Sequence, residues 1–114
     1  MKALTIASLW PDAAWEPTVS NLGHALRKLR RWPEALDCYR RALGLRPGRP
    51  GTHAAMGLTH HLLGSLDEAV EAYHKALSLR PEDAFVAEML ADALAAASES
   101  FAAGLGDSES DQHL

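Results

Sequence analysis

The segment LDEAVEAYHKALSLRP (residues 66–81) repeats the segment WPEALDCYRRALGLRP (residues 32–47), which lies 34 positions earlier in the chain. Eight of the 16 aligned pairs are identical: Glu34/Glu68, Ala35/Ala69, Tyr39/Tyr73, Ala42/Ala76, Leu43/Leu77, Leu45/Leu79, Arg46/Arg80 and Pro47/Pro81. The residues upstream match more loosely, with Gly23 opposite Gly57, and a third copy begins after Pro81 but lacks a second half. A fixed period of this length indicates a repeat architecture, in which each unit is one supersecondary motif.

Each unit is predicted to contain two helices. Apolar and small residues recur at steps of three and four over residues 17–30 and 50–63, which is the period of an amphipathic helix. The second helix of the first unit has Pro33 in its first turn, a position that favours proline. In the second unit, Ser65 and Glu68 match a capping box, in which the serine accepts a backbone hydrogen bond and the glutamate reaches back.

The turn between the paired helices differs between the two units. Gly64 can supply the left-handed conformation that commonly ends a helix. The first unit has Arg30 at the corresponding position, where that conformation would cost a residue with a Cβ about 1 kcal/mol or more. We therefore expect the first turn to close differently from the second.

Small residues are predicted to lie where helices meet, because helices approach to about 8–10 Å only when their contact residues are small. In the first unit, Gly23 is expected to face Ala35, Ala42 to receive the next unit, and Tyr39 to fill the wider gap. The second unit repeats these roles with Gly57, Ala69, Ala76 and Tyr73. The period therefore predicts about five helices of roughly 11–15 residues, antiparallel in neighbouring pairs, with no strand and with disordered ends.

Period, spacing and residue types together resemble the tetratricopeptide repeat (TPR), a helix pair of 34 residues. The resemblance covers residues 16–97 and implies an all-α helical solenoid of two full repeats plus one extra helix. The chain then divides into an N-terminal segment (1–14), repeat one (15–49), repeat two (50–83), a capping first helix of a third repeat (84–101) and a disordered acidic tail (102–114). In this family the first helices line the concave side of a right-handed superhelix. The partner-binding groove positions that the resemblance implies here are Ser20, His24, Arg27, Ala54, Leu58, His61, Phe85, Glu88 and Asp92.

A closer resemblance is carried by WEPTVSNLGHALRKL (15–29), GLTHHLLG (57–64) and AVEAYHKALSLRPEDAF (69–85). These segments are similar to the last repeats of the family formed by the sixth subunit of the anaphase-promoting complex, the cell-division-cycle scaffold proteins. The residues that carry this resemblance beyond helix packing include Trp15, Glu16, Pro17, Asn21, His24, Arg27, Lys28, His60, His74, Asp83 and Phe85. Members of that family have many more repeats, so the resemblance implies a fragment or a shortened relative, and residues 1–14 and 98–114 do not share it.

The closer resemblance implies a non-catalytic scaffold that helps to hold a multi-subunit, cell-cycle ubiquitin ligase together in the cytoplasm and nucleus. Members of that family hold the N-terminal segment of a very small accessory subunit inside their superhelix. The alternative is a free-standing repeat adaptor of the co-chaperone kind, whose grip on a peptide carboxylate uses Lys and Asn where this chain has Ser20 and His24. Because such arrays generally need about three units, the exposed solenoid end is also a surface for self-association.

Composition and charge argue against other partners. The 114 residues are 47% hydrophobic and 23% charged, as in ordinary globular domains. A formal net charge of -4 and a pI near 5.8 argue against nucleic-acid binding, and the basic run at 27–31 is expected to be a solvated helix end. No apolar run approaches the roughly 20 residues of a membrane-spanning helix. Cys38, the single cysteine, cannot form an internal disulfide and is interpreted as a small, partly buried residue.

No catalytic motif, metal site or cofactor site is predicted. The glycine-containing segment GLRPGRPG (44–51) lacks the Gly-Lys-Ser/Thr ending of a phosphate-binding loop, and no Gly-x-Ser-x-Gly elbow is present. His53 and His60 lie seven residues apart, or about 10 Å along a helix, which is too far for both to bind one ion. His60 and His61 would point to different faces. An enzyme, the third hypothesis, therefore has no supporting set of residues.

Overall fold

The fold is a row of five α-helices preceded by a short 3-10 helix, Ala13–Trp15. A computed structural model describes the backbone of residues 13–113 and the side chains of residues 13–102. The helices are α1 (Glu16–Lys28), α2 (Trp32–Leu45), α3 (Pro50–Leu63), α4 (Leu66–Leu79) and α5 (Ala84–His113). Each helix packs against the next one along the chain, and no strand occurs among the described residues. The predicted all-α solenoid is therefore confirmed.

The lengths of the helices confirm the predicted range for α1 to α4 and correct it for α5. The first four helices have 13 or 14 residues, whereas α5 has 30. The physical reason is composition: α5 is rich in alanine, the strongest helix former, and it contains no proline and no glycine before Gly104. The backbone of α5 includes most of the segment 102–114, whose disorder in solution stays a prediction. The segment 1–14 lies, except for Ala13 and Ala14, outside the described residues.

A tyrosine ring lies directly over a glycine in each repeat. A Cβ atom built on Gly23 would lie 2.7 Å from Cε1 of Tyr39, and one built on Gly57 would lie 2.5 Å from Cδ1 and Cε1 of Tyr73. Both tyrosines are completely buried. The predicted small contact position is thus confirmed, but its nearest neighbour is the tyrosine ring rather than the predicted alanine, because the ring occupies the space next to the glycine.

Contacts between successive repeats also follow the 34-residue period. Thr52 and Thr59 are buried on α3, and their counterparts Val86 and Ala93 are buried on α5. Val86 and Ala93 belong to one apolar cluster with Tyr73 of α4, so the extra helix completes the core of the second repeat. The first helices α3 and α5 therefore each bury one face against the second helix that precedes them.

The two inter-helix turns close in the same way, contrary to expectation. Gly64 has a φ of 84°, and Arg30 has a φ of 65°. The backbone hydrogen bonds also correspond, since the Arg31 amide donates to Leu26 and the Ser65 amide donates to His60. The first turn therefore tolerates the cost of a left-handed arginine, because the hydrogen bonds that end α1 require this backbone path.

The capping box predicted at the start of α4 does not form. Ser65 makes no side-chain hydrogen bond to the helix. Its own amide already donates to the His60 carbonyl, at 2.8 Å, so that Glu68 has no free amide to reach. Proline lies in the first turn of α2, as predicted, and also of α1 and α3.

Replacing Arg30 by glycine is expected to stabilise the fold. The left-handed conformation costs a residue with a Cβ about 1 kcal/mol, and glycine adopts it freely. We expect Arg30→Gly to raise the free energy of unfolding by about 0.5–1 kcal/mol, and the reverse change Gly64→Arg to lower it by about 1 kcal/mol. Urea denaturation followed by circular dichroism measures both, and a less stable Arg30→Gly variant would contradict the assignment of strain.

Two glycine substitutions should have opposite effects on stability. In Gly57→Ala the new methyl group would overlap the Tyr73 ring, which overpacks the core and should cost about 1–3 kcal/mol. In Gly44→Ala, on the exposed side of α2, nothing lies within 4 Å of the new atom. Alanine there should be neutral or stabilising by up to about 1 kcal/mol. Equal unfolding midpoints for the two variants would show that the tyrosine does not set the helix spacing.

Candidate functional site

The nine predicted groove residues lie on α1, α3 and α5, the three first helices. Their spacing of three or four residues places each set on one face of its helix. The residues on α1 and α3 are half-buried, namely Ser20, His24, Arg27, Ala54, Leu58 and His61. The residues on α5 are exposed, namely Phe85, Glu88 and Asp92. Helix α3 touches both α1 and α5. Their role in binding stays a prediction.

His24 and Arg27 of the predicted groove hold the hydroxyl group of Tyr39. The Arg27 Nε donates to the hydroxyl oxygen at 3.3 Å, and His24 Nδ1 lies 2.7 Å from the same oxygen. Burial, together with the charges of Arg27 and Lys28, lowers the pKa of His24, so the ring is neutral at pH 7. Because Arg27 can only donate, the Tyr39 oxygen accepts from it, and the hydroxyl proton can be donated to Nδ1 in the tautomer of His24 that carries its proton on Nε2.

Tyr73, the counterpart of Tyr39, lacks this support. The residues 34 positions after His24 and Arg27 are Leu58 and His61, and the Tyr73 hydroxyl is buried without a hydrogen-bond partner among the described residues. Burial and then the negative charge of Asp92 raise the pKa of Tyr73 to about 12. The hydroxyl is therefore neutral and unsatisfied. The two repeats share their packing but not their polar contacts.

A cleft that the sequence did not predict opens beside Ser20 and His24. It has a volume of about 410 Å³ and is lined by Glu16, Pro17, Ser20, Asn21, His24, Arg49, Pro50, Gly51, Thr52 and Arg80. Glu16 and Asn21 belong to the closer family resemblance, which was the available signal for this site. Arg49 carried no such signal, because it reaches the cleft only through the folding of the α2–α3 connection. Arg80 lies in the resembling segment 69–85 but reaches the cleft only through the position of the end of α4.

Glu16 is a buried carboxylate in the wall of this cleft. The residue is 1% exposed, and the Ser20 hydroxyl donates to its Oε2 at 2.8 Å. Arg49 Nε forms an ion pair with Oε1 at 3.4 Å, and Oε1 has no hydrogen-bond partner in the described part of the chain. The Arg49 side chain itself is 47% exposed. A charge that is taken out of water needs such a partner, so the pair fixes the Arg49 guanidinium at the cleft.

The described residues form neither a metal-binding cluster nor a membrane-spanning helix. No cluster of three or more histidine, cysteine or acidic side chains there could hold a metal ion. None of the described helices is long and apolar enough to cross a membrane.

Comparisons with known proteins place this geometry in context. The family model "Tetratricopeptide repeat" matches residues 15–82. The chain is 51% identical over 57 residues to "Anaphase-promoting complex subunit 6" of Dictyostelium discoideum, which covers 50% of this chain and 7% of that protein. It is 43% identical over 76 residues to human "Cell division cycle protein 16 homolog" (67% of this chain, 12% of that protein). It is 49% identical over 77 residues to the Arabidopsis thaliana subunit 6 (68% and 14%).

A solved structure shows the same fold. In the crystal structure of the "APC/C hetero-tetramer Cut9-Hcn1", one chain superposes with a TM-score of 0.70 at 30% identity, covering 71% of this chain and 16% of that chain. The chain therefore spans a small part, between 7% and 16%, of the proteins that it matches here. The predicted family resemblance is confirmed.

Removing the hydroxyl groups of the two tyrosines should have unequal effects. Tyr39→Phe leaves His24 and Arg27 without their shared partner and should lower the free energy of unfolding by about 1 kcal/mol. Tyr73→Phe removes a buried hydroxyl without a partner and should be neutral or stabilising. Urea denaturation of both single variants tests this. An equal loss of stability in both would mean that the Tyr73 hydroxyl has a partner in solution.

Proposed function

Because this chain belongs to the tetratricopeptide repeat family, we propose that it is a non-catalytic interaction module that binds a segment of a partner protein on the face formed by α1, α3 and α5. The observation that carries this proposal is Phe85 of α5, a large apolar side chain that is 69% exposed, next to helix α3, which carries the half-buried Leu58. Apolar side chains without partners on an adjoining set of helices suit the recognition of an extended or helical peptide.

The polar residues of this face give the partner segment its expected character. Glu88 and Asp92 on α5 are exposed and can accept hydrogen bonds beside Phe85. On α1, His24 and Arg27 are shared with Tyr39, so they offer only their remaining donor groups. A partner with apolar anchors, and with donor groups toward α5, fits this distribution. With only part of a superhelix available, binding is expected to be weak, on the order of micromolar, and dominated by a few anchors.

The identity of the relatives supports a more specific role. They include subunits of the anaphase-promoting complex by name, and the solved relative is a complex of Cut9 with Hcn1. We extend the proposal to a scaffold piece of that multi-subunit, cell-cycle ubiquitin ligase, present in cytoplasm and nucleus, with an accessory subunit similar to Hcn1 as the partner. Self-association through the exposed solenoid end stays a prediction, and the mass in solution tests it.

The double change Leu58→Asp and Phe85→Asp should abolish binding of Hcn1 while leaving helicity intact. Two charges in place of the apolar anchors would lose their water on contact with any apolar side chain of the partner, which opposes binding. Fluorescence anisotropy with labelled Hcn1 measures affinity, and circular dichroism checks the fold.

The matched control changes Glu71 and Lys75 to alanine on α4, where both side chains are exposed. This variant should bind as the unmodified chain does. Retention of Hcn1 by the aspartate variant together with its loss by the control would move the binding face to the second helices. Absence of Hcn1 binding to the unmodified chain would refute Hcn1 as the partner.

A further inference from the structure

The cleft at the start of α1 carries a surplus of positive charge. Its lining contains two arginines, Arg49 and Arg80, and one carboxylate, Glu16. The net formal charge of the whole chain is -4, so this positive site lies on an acidic molecule. Glu16 is ion-paired with Arg49, whereas Arg80 is exposed and has no ion pair in the part of the chain that the structure describes. The uncompensated charge of the cleft is therefore a guanidinium.

The arrangement of Arg49 is suited to a second acidic partner. A guanidinium carries five N–H donors in a planar fork, and Arg49 directs its Nε toward Glu16. The terminal nitrogens of Arg49 have no partner among the described residues, and the side chain is 47% exposed. Glu16, held by Ser20, thus anchors the inner edge of the guanidinium and leaves its outer edge open to the cleft.

Further donors lie on the same walls. His24 lines the cleft, and the exposed Asn21 side chain adds an amide group. The cleft also includes Gly51, in the first turn of α3, where backbone amides lack helical partners. The carboxylate of Glu16 is buried and its Oε1 is closed to solvent, so a ligand in the cleft meets the arginines rather than this acid.

From these contacts we infer that the cleft binds an acidic side chain, aspartate or glutamate, of an extended peptide. The carboxylate of the peptide pairs with the outer nitrogens of Arg49 and with Arg80. This inference rests on the proposed function in one respect, because it takes the peptide to be part of a partner protein. It adds a polar specificity site to the apolar anchors at Leu58 and Phe85.

A peptide selection tests the inference without a known partner. The full chain is used to select from a random library of short peptides that are acetylated and amidated at their ends, so that no terminal carboxylate contributes. We expect the selected peptides to contain Asp or Glu. Changing those residues to Asn or Gln in the best peptide should weaken its binding about tenfold or more, as for the loss of a charged hydrogen bond.

Two arginine variants test whether the acidic residue of the peptide binds in the cleft. Arg80→Gln should weaken binding of the acidic peptide about tenfold and leave its amide version unchanged. The matched control is Arg46→Gln, since Arg46 is exposed, occupies the same position of the repeat and does not line the cleft. It should bind the acidic peptide as the unmodified chain does. In amide NMR spectra, the peptide should shift the signals of Gly51 and Thr52.

Other results of these experiments would contradict the inference. The inference is overturned by a selection that enriches no peptide or only peptides without acids, by equal losses in Arg80→Gln and Arg46→Gln, or by unshifted Gly51 and Thr52 signals. If Hcn1 binds through Leu58 and Phe85 and its affinity is unchanged by Arg80→Gln, the proposed function is supported and the site for an acidic residue is refuted. If acidic peptides require Arg80 for binding while the variant with Leu58→Asp and Phe85→Asp still binds Hcn1, the cleft is supported as a binding site and the groove at Leu58 and Phe85 is refuted.

Discussion

The contact between a glycine on the first helix and a tyrosine ring on the second helix is the constraint on which both repeats depend. The ring fills the space that any larger residue at Gly23 or Gly57 would need, so it sets how closely the paired helices approach. Since Tyr39 and Tyr73 are completely buried, the ring cannot move aside without opening the core. The spacing of each pair then fixes where the next helix can dock.

The extra helix α5 follows from the same constraint. The second repeat by itself would leave the outer side of Tyr73 and Ala76 uncovered, and α5 covers it with Val86 and Ala93. The corresponding side of α1 has Thr18 and Ala25, which are exposed. A repeat thus becomes a closed core only when the first helix of the following unit is present, which is the general requirement of solenoid folds.

The sequence was sufficient to predict the structural features that recur every 34 residues. The number, type and order of the helices, and the small residues at Gly23 and Gly57, follow from the 34-residue spacing because that spacing reflects repeated packing contacts. Local rules failed where a neighbouring element competed, as at Ser65, whose amide serves the end of α3. The left-handed Arg30 likewise shows that the hydrogen bonds of a turn can outweigh the preference of one residue.

The candidate site was harder to predict, because its polar contacts join residues that no local pattern connects. Glu16 of α1 forms an ion pair with Arg49 of the α2–α3 connection, and His24 of α1 contacts the hydroxyl group of Tyr39 on α2. The backbone of the two repeats is the same, but these polar contacts can differ between them. Helix packing depends on the glycine, alanine and tyrosine positions, and it does not constrain the polar side chains at the other positions of the first helices. The hydroxyl group of Tyr39 forms hydrogen bonds with His24 and Arg27. The second repeat has other residues at both positions, and the hydroxyl group of Tyr73 has no partner among the described residues. The exchange of His24 and Arg27 for Leu58 and His61 therefore gives the two repeats different polar contacts on the same packing scaffold of glycine, alanine and tyrosine positions.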